Sequence, residues 1–144
     1  MSRKGGIFAV NMRKIICKVI PALLCMFSFV GCNQKEIPMK NTYEQITPVE
    51  AKKIMDTEQD YIILDVRTEE EFSEGHIEGA ILIPDYEIAE KAESILTDKD
   101  QQILVYCRSG RRSKIAASQL VELGYTNVKE FGGIIDWPYE TTME

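Results

Sequence analysis

The chain has 144 residues, of which 44% are hydrophobic and 28% charged, a composition typical of one globular domain and not of a disordered chain. Its formal net charge is −6. The first 31 residues contain five basic and no acidic residues, so the remainder holds 12 basic and 23 acidic residues, a net charge of −11. Because proteins bind nucleic acid through lysine and arginine, this acidity argues against a nucleic-acid partner.

The first segment of the chain has the pattern of a secretory signal. Three basic residues, Arg13, Lys14 and Lys18, precede residues 19–30, which carry no charge. That run of 12 residues is too short to cross a bilayer as a helix, which needs about 20 apolar residues. We therefore interpret residues 1–31 as a signal peptide, with Met12 as an alternative start that gives a more compact signal.

The signal ends in Phe29-Val30-Gly31-Cys32, which resembles the lipobox of bacterial lipoproteins. The resemblance implies that Cys32 is lipidated and becomes the first mature residue, with residues 32–45 as a lipidated tether. Acyl chains on Cys32 would hold the exported protein at a bacterial membrane, on the periplasmic or cell-surface face, without spanning that membrane. The alternative is an ordinary cleaved signal, or an uncleaved anchor, in which Cys32 has no role.

Short helix-like and strand-like patterns alternate through the rest of the chain. Thr47 with Glu50 and Thr68 with Glu71 form two capping boxes, each of which predicts a helix start. Apolar periodicity predicts helices over residues 47–56, 86–96 and 111–123, a short helix from residue 68, strands over residues 61–64, 81–83, 102–106 and 128–131, and a last short helix that opens at Gly132-Gly133 and holds Trp137. This alternation predicts an α/β domain over residues 46–140, with a small, mainly parallel sheet flanked by helices.

Cys107 follows the predicted strand over residues 102–106 and precedes the predicted helix over residues 111–123. It therefore lies near a helix amino terminus, where unpaired N–H groups and the helix dipole favour an anion. Three arginines add positive charge, and two small residues allow the backbone N–H groups to curl inwards as an anion-binding nest. We call residues 107–112 the cysteine loop; the residues that would line its pocket are Arg108, Ser109, Gly110, Arg111 and Arg112. These surroundings favour a thiolate, so Cys107 is the candidate catalytic residue.

Cys107 is the one thiol expected in the mature domain. Cys17 and Cys25 would leave with the signal, and Cys32 would carry lipid. With one cysteine and one histidine, that domain can form neither a structural disulfide nor a Cys–His zinc site, and we predict no metal and no cofactor. A free thiol is a liability in an oxidising compartment, which favours a use for Cys107.

Two charged residues after the predicted strand over residues 61–64 are candidate supporting residues. Asp65 lies at the carboxyl end of this strand, where α/β sheets place functional groups. We expect its carboxylate to brace the arginines of the cysteine loop, with direct proton transfer as the alternative. Arg67 is expected to pair with Glu71 or with the loop. His76, the only histidine, is interpreted as a loop-fixing residue rather than a catalytic base.

The motif Cys-Arg-Ser-Gly-Arg-Arg-Ser after a strand resembles the active loop of the rhodanese family of sulfurtransferases. Three further stretches agree in order: Leu64-Asp65-Val66-Arg67 with Glu71-Phe72, then Gly75-His76-Ile77-Glu78-Gly79-Ala80, then Gly132-Gly133 with Trp137. The resemblance implies a single-domain rhodanese-like fold. It also implies that Cys107 takes a sulfane sulfur from a small sulfur-containing anion such as thiosulfate, holds it as a persulfide, and passes it to cyanide or to a thiol of a small molecule or protein. Arg108 and Arg111 are the candidates for contacting the anionic donor.

Two alternatives to a sulfurtransferase stay open. A non-enzymatic sulfane-sulfur carrier, sensor or interaction module would use the same thiol without turnover. Cysteine-based phosphatases and arsenate reductases are less favoured, because phosphatases use a Cys-x5-Arg loop, whereas the equivalent position is Ser113 and Arg112 stands one residue earlier. The shorter loop suits a sulfur atom better than a phosphoryl group.

Overall fold

The computed structural model describes residues 42–143. The expected signal peptide (residues 1–31), the alternative start Met12, the lipidation site Cys32 and most of the tether lie outside the described residues, so they stay predictions. Among residues 42–143, no helix is long and apolar enough to cross a membrane.

The described chain forms one five-stranded sheet in the order β1-β5-β4-β2-β3, with every neighbouring pair parallel. The elements in chain order are β1 (Glu44–Gln45), α1 (Pro48–Thr57), β2 (Tyr61–Asp65), α2 (Glu69–Ser73), β3 (Ala80–Leu82), a 3-10 turn (Asp85–Glu87), α3 (Ile88–Ile95), β4 (Gln102–Cys107), α4 (Arg111–Glu122), β5 (Val128–Gly133) and a second 3-10 turn (Ile134–Asp136). The predicted α/β class and parallel sheet are therefore confirmed.

Both predicted capping boxes are present. The side chain of Thr47 accepts the N–H of Glu50 at 3.2 Å, and the Glu50 carboxylate accepts the N–H of Thr47 at 2.8 Å. Thr68 and Glu71 make the same reciprocal pair at the start of α2. Each box satisfies backbone donors that a helix leaves unpaired at its amino end, which explains why α1 and α2 begin where the sequence predicts.

Helices cover the two faces of the sheet, and β4 shows how the sequence divides its side chains between them. Ile103, Val105 and Cys107 belong to one buried cluster with side chains of α3 and α4. Leu104 and Tyr106 belong to a second buried cluster that includes the α1 side chain of Ala51 and also Trp137. Because successive strand side chains point to opposite faces, Cys107 faces α4.

The sheet begins earlier than the sequence indicates. β1 pairs with β5, and Tyr43 packs against the core cluster below α3 and α4. These residues lie within residues 32–45, the predicted tether, so the folded region starts before the predicted boundary at residue 46. A strand of two residues has no periodicity to detect, and its pairing with β5 alone defines it.

The predicted last short helix is present as the 3-10 turn Ile134–Asp136, with Gly133 at its N-cap and Trp137 at its C-cap. The two glycines before it belong to β5. The step from Val105 to Cys107 on β4 is matched by the longer step from Glu130 to Gly133 on β5, which is a β-bulge. Gly132 has φ of 94°, which glycine adopts without steric cost. The 3-10 turn Ile134–Asp136 follows, and Trp137 comes after that turn.

Candidate active site

Cys107 is the last residue of β4, and its thiol lies under the turn into α4. Gly110 caps α4 with φ of 90°, a left-handed conformation that glycine adopts without steric cost. The Gly110 N–H donates to Cys107 Sγ at 3.1 Å. Cys107 is 1% exposed, so the backbone donor contacts a sulfur shielded from water. The predicted placement of a thiol at a strand end near a helix amino terminus is confirmed.

The cysteine loop rests directly on the backbone of β5. A Cβ atom on Gly133 would lie 2.2 Å from the carbonyl oxygen of Arg108 and 2.6 Å from the Cα of Ser109, distances that atoms do not tolerate. The N–H of Ile135 donates to the same Arg108 carbonyl at 3.3 Å. Gly133 therefore permits an approach between loop and sheet that no other residue type allows.

A hydroxyl and a carboxylate lie behind the thiol. Ser113 Oγ is 3.5 Å from Cys107 Sγ and donates to Glu130 Oε1 at 2.6 Å. Glu130 Oε1 also accepts the N–H of Gly132 at 2.9 Å, and the residue is 2% exposed. Glu130 belongs to none of the motifs in the sequence. The available signal was its place two residues after Val128 in a strand, which puts an acidic side chain on the buried face that Val128 occupies.

One of the three arginines of the cysteine loop, Arg112, forms an ion pair with α2. Arg112 makes two contacts with the carboxylate of Glu71, at 2.7 and 2.8 Å, which link the start of α4 to α2. The hydrogen bond from Arg112 lowers the pKa of the Glu71 carboxyl, and the same contact raises the pKa of Arg112. Arg108 and Arg111 are exposed, as expected for groups that contact an incoming anion.

The expected brace between Asp65 and the loop arginines is wrong. The Asp65 carboxylate is fully buried and binds Arg67, with Nη2 at 2.6 Å and Nε at 2.9 Å from Oδ2. Arg67 therefore does not pair with Glu71, and its Nη2 also donates to the carbonyl of Gly75 at 2.7 Å. Burial opposes the charge of Arg67, but the hydrogen bonds and charge of Asp65 outweigh it and raise the pKa of Arg67. The pair closes on itself because Arg67 lies two residues away and can reach back to the strand end.

His76 fixes its loop, in agreement with the sequence interpretation. Its Nδ1 lies 3.0 Å from the carbonyl oxygen of Phe72, and its ring stacks on the Phe72 ring at 3.7 Å.

The neighbouring Ile77 N–H donates to the hydroxyl of Tyr106 at 3.2 Å, and burial raises the pKa of that hydroxyl. Trp137 is 9% exposed and packs near Phe131, which makes it a core residue.

The arrangement supports nucleophilic chemistry at one sulfur atom. Cys107 has a backbone donor and cations on the adjoining helix turn, surroundings that activate cysteine nucleophiles. Within residues 42–143, no group of three or more Cys, His, Asp or Glu side chains is placed to hold a metal ion.

Comparison with known proteins points to one family. The Rhodanese-like domain family matches residues 47–138. Thiosulfate sulfurtransferase PspE of Escherichia coli (strain K12) is 41% identical over 73 residues, covering 51% of this chain and 70% of PspE. Putative sulfurtransferase YtwF of Bacillus subtilis (strain 168) is 35% identical over 98 residues, covering 68% of this chain and 93% of YtwF. A rhodanese-related protein from Thermoplasma volcanium superposes with a TM-score of 0.62 at 31% identity, over 71% of this chain and all of that one.

Proposed function

The chain belongs to the rhodanese-like domain family and is a sulfurtransferase of that family, and we propose that it moves a sulfane sulfur from a donor such as thiosulfate to a thiol or cyanide through a persulfide on Cys107. The observation that carries the proposal is the Gly110 N–H held 3.1 Å from Cys107 Sγ at the start of α4. The name of the relative PspE supports thiosulfate as the donor class.

In the first half-reaction, the Cys107 thiolate attacks the outer, sulfane sulfur of the donor. A new S–S bond forms at Cys107, the S–S bond of thiosulfate breaks, and sulfite leaves with the electron pair of that bond. Arg108 and Arg111 are exposed at the loop and would compensate the charge of the dianionic donor. No external oxidant or reductant is required, because one S–S bond replaces another.

In the second half-reaction, an acceptor thiolate or cyanide attacks the outer sulfur of the Cys107 persulfide. The new bond forms to that sulfur, and Cys107 leaves as a thiolate with the electrons of the broken S–S bond. The Gly110 N–H and the amino terminus of α4 stabilise this leaving thiolate. The same contacts therefore serve the nucleophile of the first step and the leaving group of the second.

A cyanide and thiosulfate assay with Cys107→Ser tests the proposal. We expect the unsubstituted protein to form thiocyanate and Cys107→Ser to fall to the background rate. Ser118→Ala, on an exposed turn of α4, is the matched control and should keep full activity. If the unsubstituted protein gains one sulfur atom on Cys107 by mass spectrometry but forms no thiocyanate, the protein is a sulfur carrier and the proposed turnover is wrong.

We further propose that residues 1–31 are a cleaved lipoprotein signal and that Cys32 carries lipid, which would anchor the exported sulfurtransferase at a bacterial membrane. The proposal is supported by the basic start, the uncharged run over residues 19–30 and the Gly31-Cys32 pair. Under it, Cys107 is the one free thiol of the mature protein. Residues 33–144 hold no second thiol to receive the sulfur, so we propose that the acceptor is a separate molecule.

A further inference from the structure

Glu130 is a buried carboxylate to which the two sulfur-transfer steps give no role. It is 2% exposed, and no lysine or arginine in the part of the chain that the structure describes forms a salt bridge with it. Burying a carboxylate without an ion pair is costly, and such a group persists where its hydrogen bonds compensate or where it has a function. The contacts of Glu130 lead to Cys107.

When Cys107 is a thiol, one hydrogen-bonded chain joins it to Glu130. The S–H group donates to Ser113 Oγ across 3.5 Å, and the Ser113 hydroxyl donates to Glu130 Oε1 across 2.6 Å. A serine hydroxyl has one hydrogen to donate and lone pairs to accept with. The short contact to Glu130 uses that hydrogen, so Ser113 presents a lone pair to the sulfur.

Ionisation of Cys107 disrupts this arrangement. A thiolate accepts hydrogen bonds only, so it competes with Glu130 for the one hydrogen of Ser113. The Ser113 hydroxyl also lies 3.1 Å from the carbonyl oxygen of Gly110 and 3.4 Å from that of Gly132, but its contact with Glu130 is the shortest. In addition, the thiolate and the Glu130 carboxylate carry like charges on either side of one hydroxyl, in surroundings where water is excluded and repulsion is strong. The Gly110 N–H still donates to the sulfur.

We propose that Glu130 is a positioning residue that acts on Cys107 through Ser113, because its carboxylate competes with a Cys107 thiolate for the same hydroxyl hydrogen and repels the thiolate charge. In a persulfide the charge moves to the outer sulfur, farther from Glu130, so the same repulsion favours the sulfur-loaded site over the empty thiolate. This second consequence rests on the proposed function. The coupling of the two charges does not, because it concerns the thiol alone.

Glu130 is one of several charged residues on the elements around Cys107. Other charged residues lie on the elements around Cys107 and Glu130, among them Glu44, Glu50, Asp65, Arg67, Glu71, Asp85, Arg108, Arg111, Arg112, Lys114, Lys129 and Asp136. Arg112 interacts electrostatically with Cys107, and Glu71 binds the Arg112 guanidinium. A Glu130→Gln substitution leaves all of these groups unchanged and keeps the size of the side chain.

The test is the pH dependence of Cys107 alkylation by iodoacetamide in the full chain, followed on the Cys107 peptide by mass spectrometry. We expect Glu130→Gln to lower the midpoint of the profile by at least about one pH unit, because the repulsion is gone and the Ser113 hydrogen is free for the thiolate. In a Ser113→Ala background, Glu130→Gln should give a smaller shift. Glu122→Gln, which removes an exposed carboxylate of α4, should give none.

An unchanged midpoint in Glu130→Gln overturns the proposal, and so does a shift of the same size with and without the Ser113 hydroxyl. If Glu130→Gln does not fold, the carboxyl ¹³C signal of Glu130 in the unsubstituted protein decides instead. Coupled groups report each other's titration, so this signal should show a step at the alkylation midpoint that Cys107→Ser removes. Its absence contradicts the proposal. Neither measurement requires sulfur transfer, so a failed thiocyanate assay and a failed coupling are distinguishable.

Discussion

Gly133 is the residue whose missing side chain allows the cysteine loop to lie on the sheet. Its φ of −118° is an ordinary extended value, so its backbone conformation does not require glycine. The requirement is space, since a Cβ would lie 2.2 Å from the Arg108 carbonyl oxygen. Gly79 is the opposite case, with φ of 76° and nothing within 4 Å of an added Cβ. Gly133 is therefore required for close packing at the active site, whereas Gly79 is required for its backbone conformation.

We predict that Gly133→Ala displaces the cysteine loop and lowers sulfurtransferase activity by about 100-fold, because a reacting group misplaced by about 1 Å costs that much. Gly79→Ala is the matched control: it should lose about 1 kcal/mol of unfolding free energy from its positive φ and keep its activity. Initial rates of thiocyanate formation and urea unfolding check both variants. Equal losses of activity in the two variants would contradict the prediction.

Among the elements, α2 holds the start of α4 by one ion pair. Glu71 closes the capping box of α2 and also binds the Arg112 guanidinium, so a single side chain stabilises one helix and orients the next. Both side chains are 20% exposed, which limits screening by water. The lowered pKa of Glu71 records this stabilisation, because the folded protein favours the charged carboxylate over the protonated one.

Glu71→Gln keeps a side chain that can close a capping box but loses the ion pair. We expect it to lower the unfolding free energy by about 1 kcal/mol at pH 7. Because the pKa of Glu71 is lower in the folded than in the unfolded state, the contribution is fully present above about pH 4.3 and disappears as the pH falls through the lower folded value.

Urea unfolding at pH 7, 5 and 3 measures this difference, which should persist at pH 5 and shrink at pH 3. Glu74→Gln, an exposed acidic residue after the last turn of α2, is the charge-matched control and should cost nothing at pH 7. A Glu71→Gln loss of the same size at pH 3 and pH 7 would mean that the ion pair does not contribute.

Across the whole molecule, the first 31 residues and the rest of the chain differ in charge. The residues after position 31 carry a net charge of −11, whereas the first 31 residues carry five positive charges. An acidic domain has no electrostatic attraction for a membrane surface, so the proposed attachment depends on lipid at Cys32 and not on surface charge. The thiol at Cys107 remains in the folded domain, where it is buried below the loop.

Metabolic labelling with an alkyne fatty acid in a bacterial host tests the anchor. We predict that the unsubstituted protein and Cys25→Ala incorporate the label and that Cys32→Ala does not, since only Cys32 follows the lipobox-like stretch. Cys25→Ala is the matched control, because it removes a cysteine from the segment that the signal peptidase would discard. Label on Cys32→Ala, or none on the unsubstituted protein, would show that Cys32 is not the lipidation site.

Local signals in the sequence determined most elements and the place of the nucleophile. The two capping boxes, the alternation along β4 and the small residues after Cys107 act over a few neighbouring positions. They can therefore be recognised without knowing which other element packs against them. The strand-to-helix turn at Cys107 follows from them, and so does the α/β class. Local signals do not predict β1, which lies within the predicted tether, or the bulge in β5 at Gly132-Gly133, because both exist only through pairing with other strands.

The tertiary structure alone decided which charged groups meet. Asp65 was expected to reach the loop arginines, but Arg67 folds back onto it, and Glu71 on another helix holds Arg112. Glu130 lies 17 positions from Ser113 in sequence and touches it only because β5 packs beside β4 under α4. Sequence spacing fixes hydrogen bonds within a turn or a cap, whereas partners across elements depend on crossover geometry and on the bulge, which no local pattern encodes.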